Sequence, residues 1–231
     1  MMFRDTIFRN TTILLLSILF LFDGLTLAED TPWRQLPGKE QALLLEKLVE
    51  LQKSIETFQS AFSEQRSTKV LKSPLHFEGR IYYDAKGLFF MQYFKPVKYI
   101  LRVRGGEVLF YVEGSTTADM ADLSNVEGMA KHSSLFVWDP GDFKGSIWES
   151  DDEYRLEDAS GEVGERKGEK KVLIFLDRKN LHMKRIRIDD EFGDVTEISL
   201  SEQRINEELP PSVLHFSLPA GTKINRMDTL Q

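Results

Sequence analysis

Four histidines, His76, His132, His182 and His215, are the side chains in this 231-residue chain best suited to metal ligation or proton transfer. A helical metal site needs two imidazoles one turn apart, as in H-E-x-x-H, so that both face one ion. These four are scattered, with no such pair, and read as surface or strand-face residues rather than a metal site. The chain has no cysteine, hence no thiol nucleophile, and no G-x-S-x-G elbow to expose a serine. The acidic runs at 151–153 and 189–191 lack the alternating oxygens and following glycine of a calcium loop and read as ordinary turns. Arg104-Gly105-Gly106 is a hairpin turn, with no helix behind it to make a phosphate site. The basic run at 166–171 sits in an acidic chain and reads as a solvated loop. No acid–base or nucleophile constellation remains, and catalysis, cofactor and metal are not expected.

What remains is apolar. From Phe77 to Gly114, four runs each place their hydrophobic residues on one parity: Phe77, Ile81 and Tyr83; Phe89, Met91 and Tyr93; Tyr99, Leu101 and Val103; Val108, Phe110 and Val112. The other parity carries Glu78, Arg80, Asp84, Gln92, Arg102 and Arg104. Period-2 alternation describes strands with one dry and one wet face, and four in succession predict a curved antiparallel sheet. Leu88 to Phe94 is bulky on both parities, and Met91 among phenylalanines can pack against variable shapes. Such a face needs a cover, whether helix or ligand.

A helix is predicted from Lys39 to about Phe58, where Leu44, Leu48, Leu51, Ile55 and Phe58 form one stripe. Ala61–Val70 then turns strand-like around Phe62. Ser115–Gly145 reads as a helical or irregular insertion, with capped starts at Ser115–Met120 and Asp122–Glu127 and a short helix at Ala130–Trp138. Strands are predicted again at Tyr154–Glu157, Lys171–Leu176, Met183–Ile188 and Val195–Leu200, with a solvated loop at Ser160–Lys170. A last strand is expected over Ser212–Leu218. The fold class is therefore α+β, mainly β: an unclosed, strongly curved antiparallel barrel with a helical lid.

The N-terminus predicts export. Arg4 and Arg9 precede an apolar core, Ile13–Phe22, of about ten residues against the ~20 needed to span a bilayer. Thr26-Leu27-Ala28 resembles a signal-peptidase site. Residues 1–28 are expected to be a cleaved signal and 29–231 one domain, exported, soluble and without a lipidated cysteine. With a net charge of −7, the chain is not expected to bind nucleic acid or to dock electrostatically on anionic lipid, and its 16 phenylalanines are a large aromatic surface to bury or to use.

Three stretches resemble the LolA family of periplasmic outer-membrane lipoprotein carriers: Phe58–Gln65; Gly79, Tyr82, Leu88-Phe89, Pro96, Gly106 and Leu109–Tyr111; and the ending His215–Ile224. The resemblance implies an unclosed barrel of about eleven strands under three lid helices. It also implies a periplasmic, monomeric, non-enzymatic chaperone that passes acyl chains of lipoproteins from an inner-membrane ABC exporter to an outer-membrane acceptor. Phe77, Ile81, Phe89, Met91, Tyr93, Leu101, Val103, Phe110, Ile186, Ile188 and Phe216 are expected to face its cavity, with Leu44, Leu48, Leu51 and Ile55 as the lid. The family's Arg-Pro pair after the second strand is replaced by Ala85-Lys86, and Lys86 lacks the planar fork of an arginine. A carrier of another envelope lipid or glycolipid, or an envelope-stress sensor sharing the fold, are the alternatives.

Overall fold

The computed structural model describes residues 32–123, 140–158 and 171–227. The expected signal segment, the helix at Ala130–Trp138, the loop Ser160–Lys170 and His132 lie outside the described residues, as do Ser124–Glu127. The chain divides after Pro32 into two compact units, and the second, Trp33–Gln231, carries every element described. In chain order these are β1 (Arg34–Gln35), α1 (Gly38–Lys53), β2 (Thr57–Ser67), β3 (Leu75–Asp84), β4 (Leu88–Lys95), β5 (Tyr99–Arg104), β6 (Glu107–Val112) and β7 (Thr117–Asp122). A 3₁₀ turn at Pro140–Asp142 leads to β8 (Gly145–Glu149), β9 (Glu153–Asp158), β10 (Lys171–Asp177), β11 (Met183–Asp189), β12 (Val195–Ile205), α2 (Pro211–Leu214) and β13 (Lys223–Met227).

The strands form one unclosed sheet in the order β1-β8-β9-β10-β11-β12-β2-β3-β4-β5-β6-β7-β13. Nine of its twelve junctions join strands consecutive in the chain, while β1–β8, β12–β2 and β7–β13 join distant ones; all are antiparallel except β7–β13, which is parallel. Because paired residues share a face, register traces one continuous row: Ile147, Leu156, Ile174, Ile186, Ile198, Glu64 and Phe77. A parallel row on the same face runs Ser60, Ile81, Met91, Leu101, Phe110. This inner face is apolar almost throughout. Gly79 lets the Phe62 ring lie flat across it, since a Cβ there would come within 2.2 Å of the Gln92 carbonyl and 2.5 Å of that ring.

Helix α1 lies on the inner face near β8–β10, where Leu44 and Leu48 pack with Leu36, Ile147, Leu156, Ile174 and Leu176. It stops earlier than the stripe predicts. Ser54 closes it, its hydroxyl donating to the Leu51 carbonyl at 2.6 Å. Ile55 lies past the helix and Phe58 already belongs to β2. Asn206, in the left-handed region at φ 58°, holds this exit. Its Oδ1 accepts the Glu56 and Thr57 N–H groups at 2.7 and 3.3 Å, and its Nδ2 donates to the Ser54 carbonyl at 2.8 Å.

Three other expectations fail. The outer face is not wet over β3–β7: Tyr82, Leu88, Phe90, Leu109 and Tyr111 are buried beneath Leu209, Val213, Leu214, Phe216 and Leu218. That covering strap makes one turn of helix, α2, where a strand is predicted; Pro210-Pro211 starts the turn, and the alternating Leu214, Phe216 and Leu218 still reach the sheet without a ladder. Thr117–Asp122 is strand β7, not a helical start, because Ala118 and Met120 are drawn onto Leu109 and Tyr111 of the outer core.

Candidate functional site

Between α1 and the inner face lies a cavity of about 120 Å³. Leu48, Leu51, Gln52 and Ile55 come from the helix and its exit; Phe58, Tyr83, Leu176, Met183, Leu200 and Ile205 form the apolar wall, with Leu181, His182 and Gln203 at its border. Register explains the wall. Phe58 pairs with both Tyr83 and Ile205, and Leu176 with Met183, so residues remote in the chain share one face. The Gln203 side-chain amide is engaged, donating to the Met183 carbonyl at 2.5 Å.

Of the residues expected to face a cavity, Ile81, Phe89, Met91, Tyr93 and Leu101 come together as one buried inner-face cluster, with Phe77 and Val103 packed against it. Phe110 joins through Tyr99, its ring 5.2 Å away. Ile186 and Ile188 are buried on the same face, further along the sheet. None of these lines the cavity under α1. Phe216 is elsewhere altogether: it lies on the outer face, its ring 5.5 Å from Phe90, because the strap that carries it crosses the other side of the sheet. Leu48, Leu51 and Ile55 of the expected lid do bound the cavity, whereas Leu44 is taken up in the core beneath the helix.

Among the described residues, the inner face holds one buried charge. Glu64 is 3% exposed, and it accepts a hydrogen bond from the Tyr93 hydroxyl at 2.9 Å and a charge-assisted one from Arg66. The Arg66 guanidinium covers the Phe77 ring at 4.6 Å, and Tyr93 stacks on Tyr99 at 4.0 Å. Burial, reinforced by the Glu64 charge, pushes the Tyr93 phenol well above the ordinary tyrosine range. The pattern was readable: Phe58, Ser60, Phe62 and Glu64 share the dry parity, and a carboxylate on a dry parity must find partners.

The remaining polar motifs are structural where described. Lys86 sits exposed in the Asp84–Gly87 turn, its backbone N–H donating to Asp84 Oδ1 at 2.8 Å. Glu153 pairs with Lys184 at 2.8 Å and Arg185 at 3.1 Å, and Asp189 with Arg187 at 2.8 Å. Among the described residues no group of three histidine, aspartate or glutamate side chains could hold a metal ion. Nor is any described helix long and apolar enough to cross a membrane.

The cavity is thus mostly apolar, set between an amphipathic helix and the dry face of an open sheet, with Gln52, Tyr83, His182 and Gln203 as its polar side chains. No family model matches the chain. An outer-membrane lipoprotein carrier protein of Methylococcus capsulatus is 26% identical over 181 residues, which cover 74% of this chain and 82% of that protein. The chain resembles the lipoprotein carriers. Among solved structures, an uncharacterized conserved protein from Thermus thermophilus is similar with a TM-score of 0.49 and 13% identity, covering 80% of this chain and 99% of that one. A LolA superfamily protein from Nitrosomonas europaea is similar with a TM-score of 0.43 and 12% identity, covering 73% and 96%.

Proposed function

We propose that residues 29–231 form a periplasmic carrier, exported by a signal at residues 1–28, that binds the acyl chains of lipoproteins between α1 and the inner face. It takes them from an inner-membrane ABC exporter and passes them to an outer-membrane acceptor, without catalysis. The observation that carries this reading is the apolar cavity beneath α1; the resemblance to the lipoprotein carriers supplies the cargo. An acyl chain in water forfeits about 0.8 kcal/mol per CH₂, on the order of 10 kcal/mol for an ordinary chain, so transit needs a dry enclosure. The cavity, at about 120 Å³, is smaller than the roughly 300–1,000 Å³ that drug-sized ligands occupy. Loading therefore displaces α1, and the residues packed beneath it and along the sheet, Ile81, Phe89, Met91 and Leu101 among them, become the wall that the acyl chains meet.

The test is release of newly made lipoproteins from spheroplasts by the purified protein. Wild type is expected to bring them into solution, and Leu51→Glu, which puts a charge in the cavity wall without touching the sheet, to lower the yield at least tenfold. If wild type releases none, or Leu51→Glu matches it, the carrier reading is wrong.

A further inference from the structure

Helix α1 is tied to the sheet at both ends, by contacts of unequal strength. Its exit runs directly into β2, which is paired on both sides, with β12 and β3. There the Asn206 side chain engages Ser54, Glu56 and Thr57, and the Asn206 N–H donates to the Thr57 carbonyl at 2.8 Å. The Thr57 hydroxyl donates to the Glu207 carbonyl at 2.6 Å, and the Glu56 carbonyl accepts the Ala85 N–H at 2.8 Å. The start of the helix is tied instead to β1, two residues long and outermost in the sheet, with β8 on its one paired side. Trp33 lies edge-on to Phe175 at 6.1 Å and under the Arg155 guanidinium at 4.7 Å. Arg34 pairs with Glu149 and, at 3.5 Å, with Glu40 of the first helical turn. Leu36 donates its N–H to the Ile147 carbonyl at 2.8 Å and buries its side chain with Leu44 and Leu48. The Gln41 amide returns to the Leu36 carbonyl at 2.7 Å, so β1 and the first turn of α1 form one unit.

That unit can leave the sheet without stranding a charge. Arg34 is exposed, where an ion pair contributes little to stability. Glu149, mostly buried, keeps Arg178 at 3.2 Å when Arg34 goes. Arg155 likewise keeps Glu157 at 2.9 Å and the Trp148 ring at 5.3 Å when Trp33 goes. Opening at the exit would instead strip Ser54, Glu56 and Thr57 of their Asn206 bonds and pull on a strand fixed on both sides. Lifting the start of α1 uncovers Ile147, Leu156, Ile174 and Leu176, on which Leu44 and Leu48 rest. This apolar strip leads from the β1–β8 edge to the cavity, whose wall includes Leu176.

We infer that α1 is a flap, hinged at the Asn206 clamp and latched by residues 33–36 against β8–β10, and that it opens at the β1–β8 edge. The inference rests on the carrier reading for what passes that edge, an acyl chain, while the latch itself is tested without cargo. The chain has no cysteine. Arg34 and Glu149 are direct partners in the β1–β8 ladder, and ladder partners stand about 4.5–5.5 Å apart at Cα, a gap that a disulfide spans. The double variant Arg34→Cys, Glu149→Cys therefore closes the latch on oxidation and frees it on reduction. In hydrogen–deuterium exchange resolved by peptide, oxidation is expected to slow exchange over α1 at least tenfold relative to the reduced form. The double variant Trp33→Ala, Arg34→Ala is expected to speed it at least tenfold, with β2–β5 unchanged in both. The inference is overturned if oxidised and reduced forms exchange alike over α1, if the alanine variant exchanges as wild type does, or if the changes spread equally to β2–β5. Uptake of the fluorescent fatty acid cis-parinaric acid is expected to be at least tenfold slower in the oxidised form than in the reduced one, and equal rates would also overturn it. If wild type takes up no fatty acid and releases no lipoprotein while oxidation still slows exchange over α1, the flap stands and the carrier reading falls.

Discussion

Glu64 is the residue whose environment departs furthest from its chemistry, a carboxylate on an apolar face with two donors to hold it. Removing the Tyr93 hydroxyl takes away a hydrogen bond to a charged group, an interaction that contributes about 1.5–3 kcal/mol. Tyr93→Phe is expected to lower unfolding stability by that amount in urea at pH 7. The pH dependence has a definite sign. Tyrosine in the unfolded chain ionises near pH 10, whereas the buried Tyr93 phenol holds its proton above that. Above about pH 10 the unfolded state therefore releases a proton that the native state keeps, and stability falls as pH rises. Urea titrations across this window are expected to show a steeper fall for wild type than for Tyr93→Phe; equal slopes would refute the assignment. The aromatic parity was legible at this scale, since Ile81, Phe89, Met91, Tyr93 and Leu101 do share a buried face. The cavity itself was not, because Phe58, Leu176, Met183, Leu200 and Ile205 meet only through pairing between distant strands.

Helix α1 and its exit set what the cavity can do. The helix buries only Leu44 and Leu48, begins without a side-chain cap, and is fixed at its far end by Asn206. Asn206→Ala removes the clamp from Glu56, Thr57 and Ser54 and puts a poor residue at a positive φ. Amides of α1 are expected to exchange with solvent at least tenfold faster in this variant, while those of β3–β5 stay as protected as in wild type. Hydrogen–deuterium exchange resolved by peptide decides the matter, and uniform acceleration would mean global destabilisation instead. The clamp also shows why the helix end was misread. Phe58 continues the three-and-four spacing of the stripe, yet it is equally in step with Ser60 and Phe62, so one residue satisfies two periodicities. In the same way Ala118 and Met120 are helix formers by propensity, but pairing with β6 on one side and β13 on the other makes them strand. Strand β13 has no apolar alternation at all, and nothing local announces it.

At the scale of the molecule, the sheet has two covers: α1 on the inner face near β8–β10, and the Leu209–Leu218 strap on the outer face over β3–β7. The two covers are expected to have separable roles. Phe216 is half-buried against Phe90, and its backbone carbonyl accepts from Arg102 at 3.4 Å. Truncating it removes packing from the outer face alone. Phe216→Ala is expected to lower stability by about 2 kcal/mol, less than the 3–5 kcal/mol of a fully buried phenylalanine, with lipoprotein release per folded molecule unchanged. An equal loss in release would tie the strap to the cargo. The unclosed sheet also has two outermost strands, and any such edge can template another chain. Here one edge strand, β1, is two residues long, with Arg34 tied to Glu149. The other, β13, is mostly exposed and polar, with Asn225 and Arg226 bonded back to Asp119 and Glu107. One ladder is too short to be copied and the other is studded with side chains that keep a second strand off. The sheet thus stays open without offering its own backbone as the seed of a fibre.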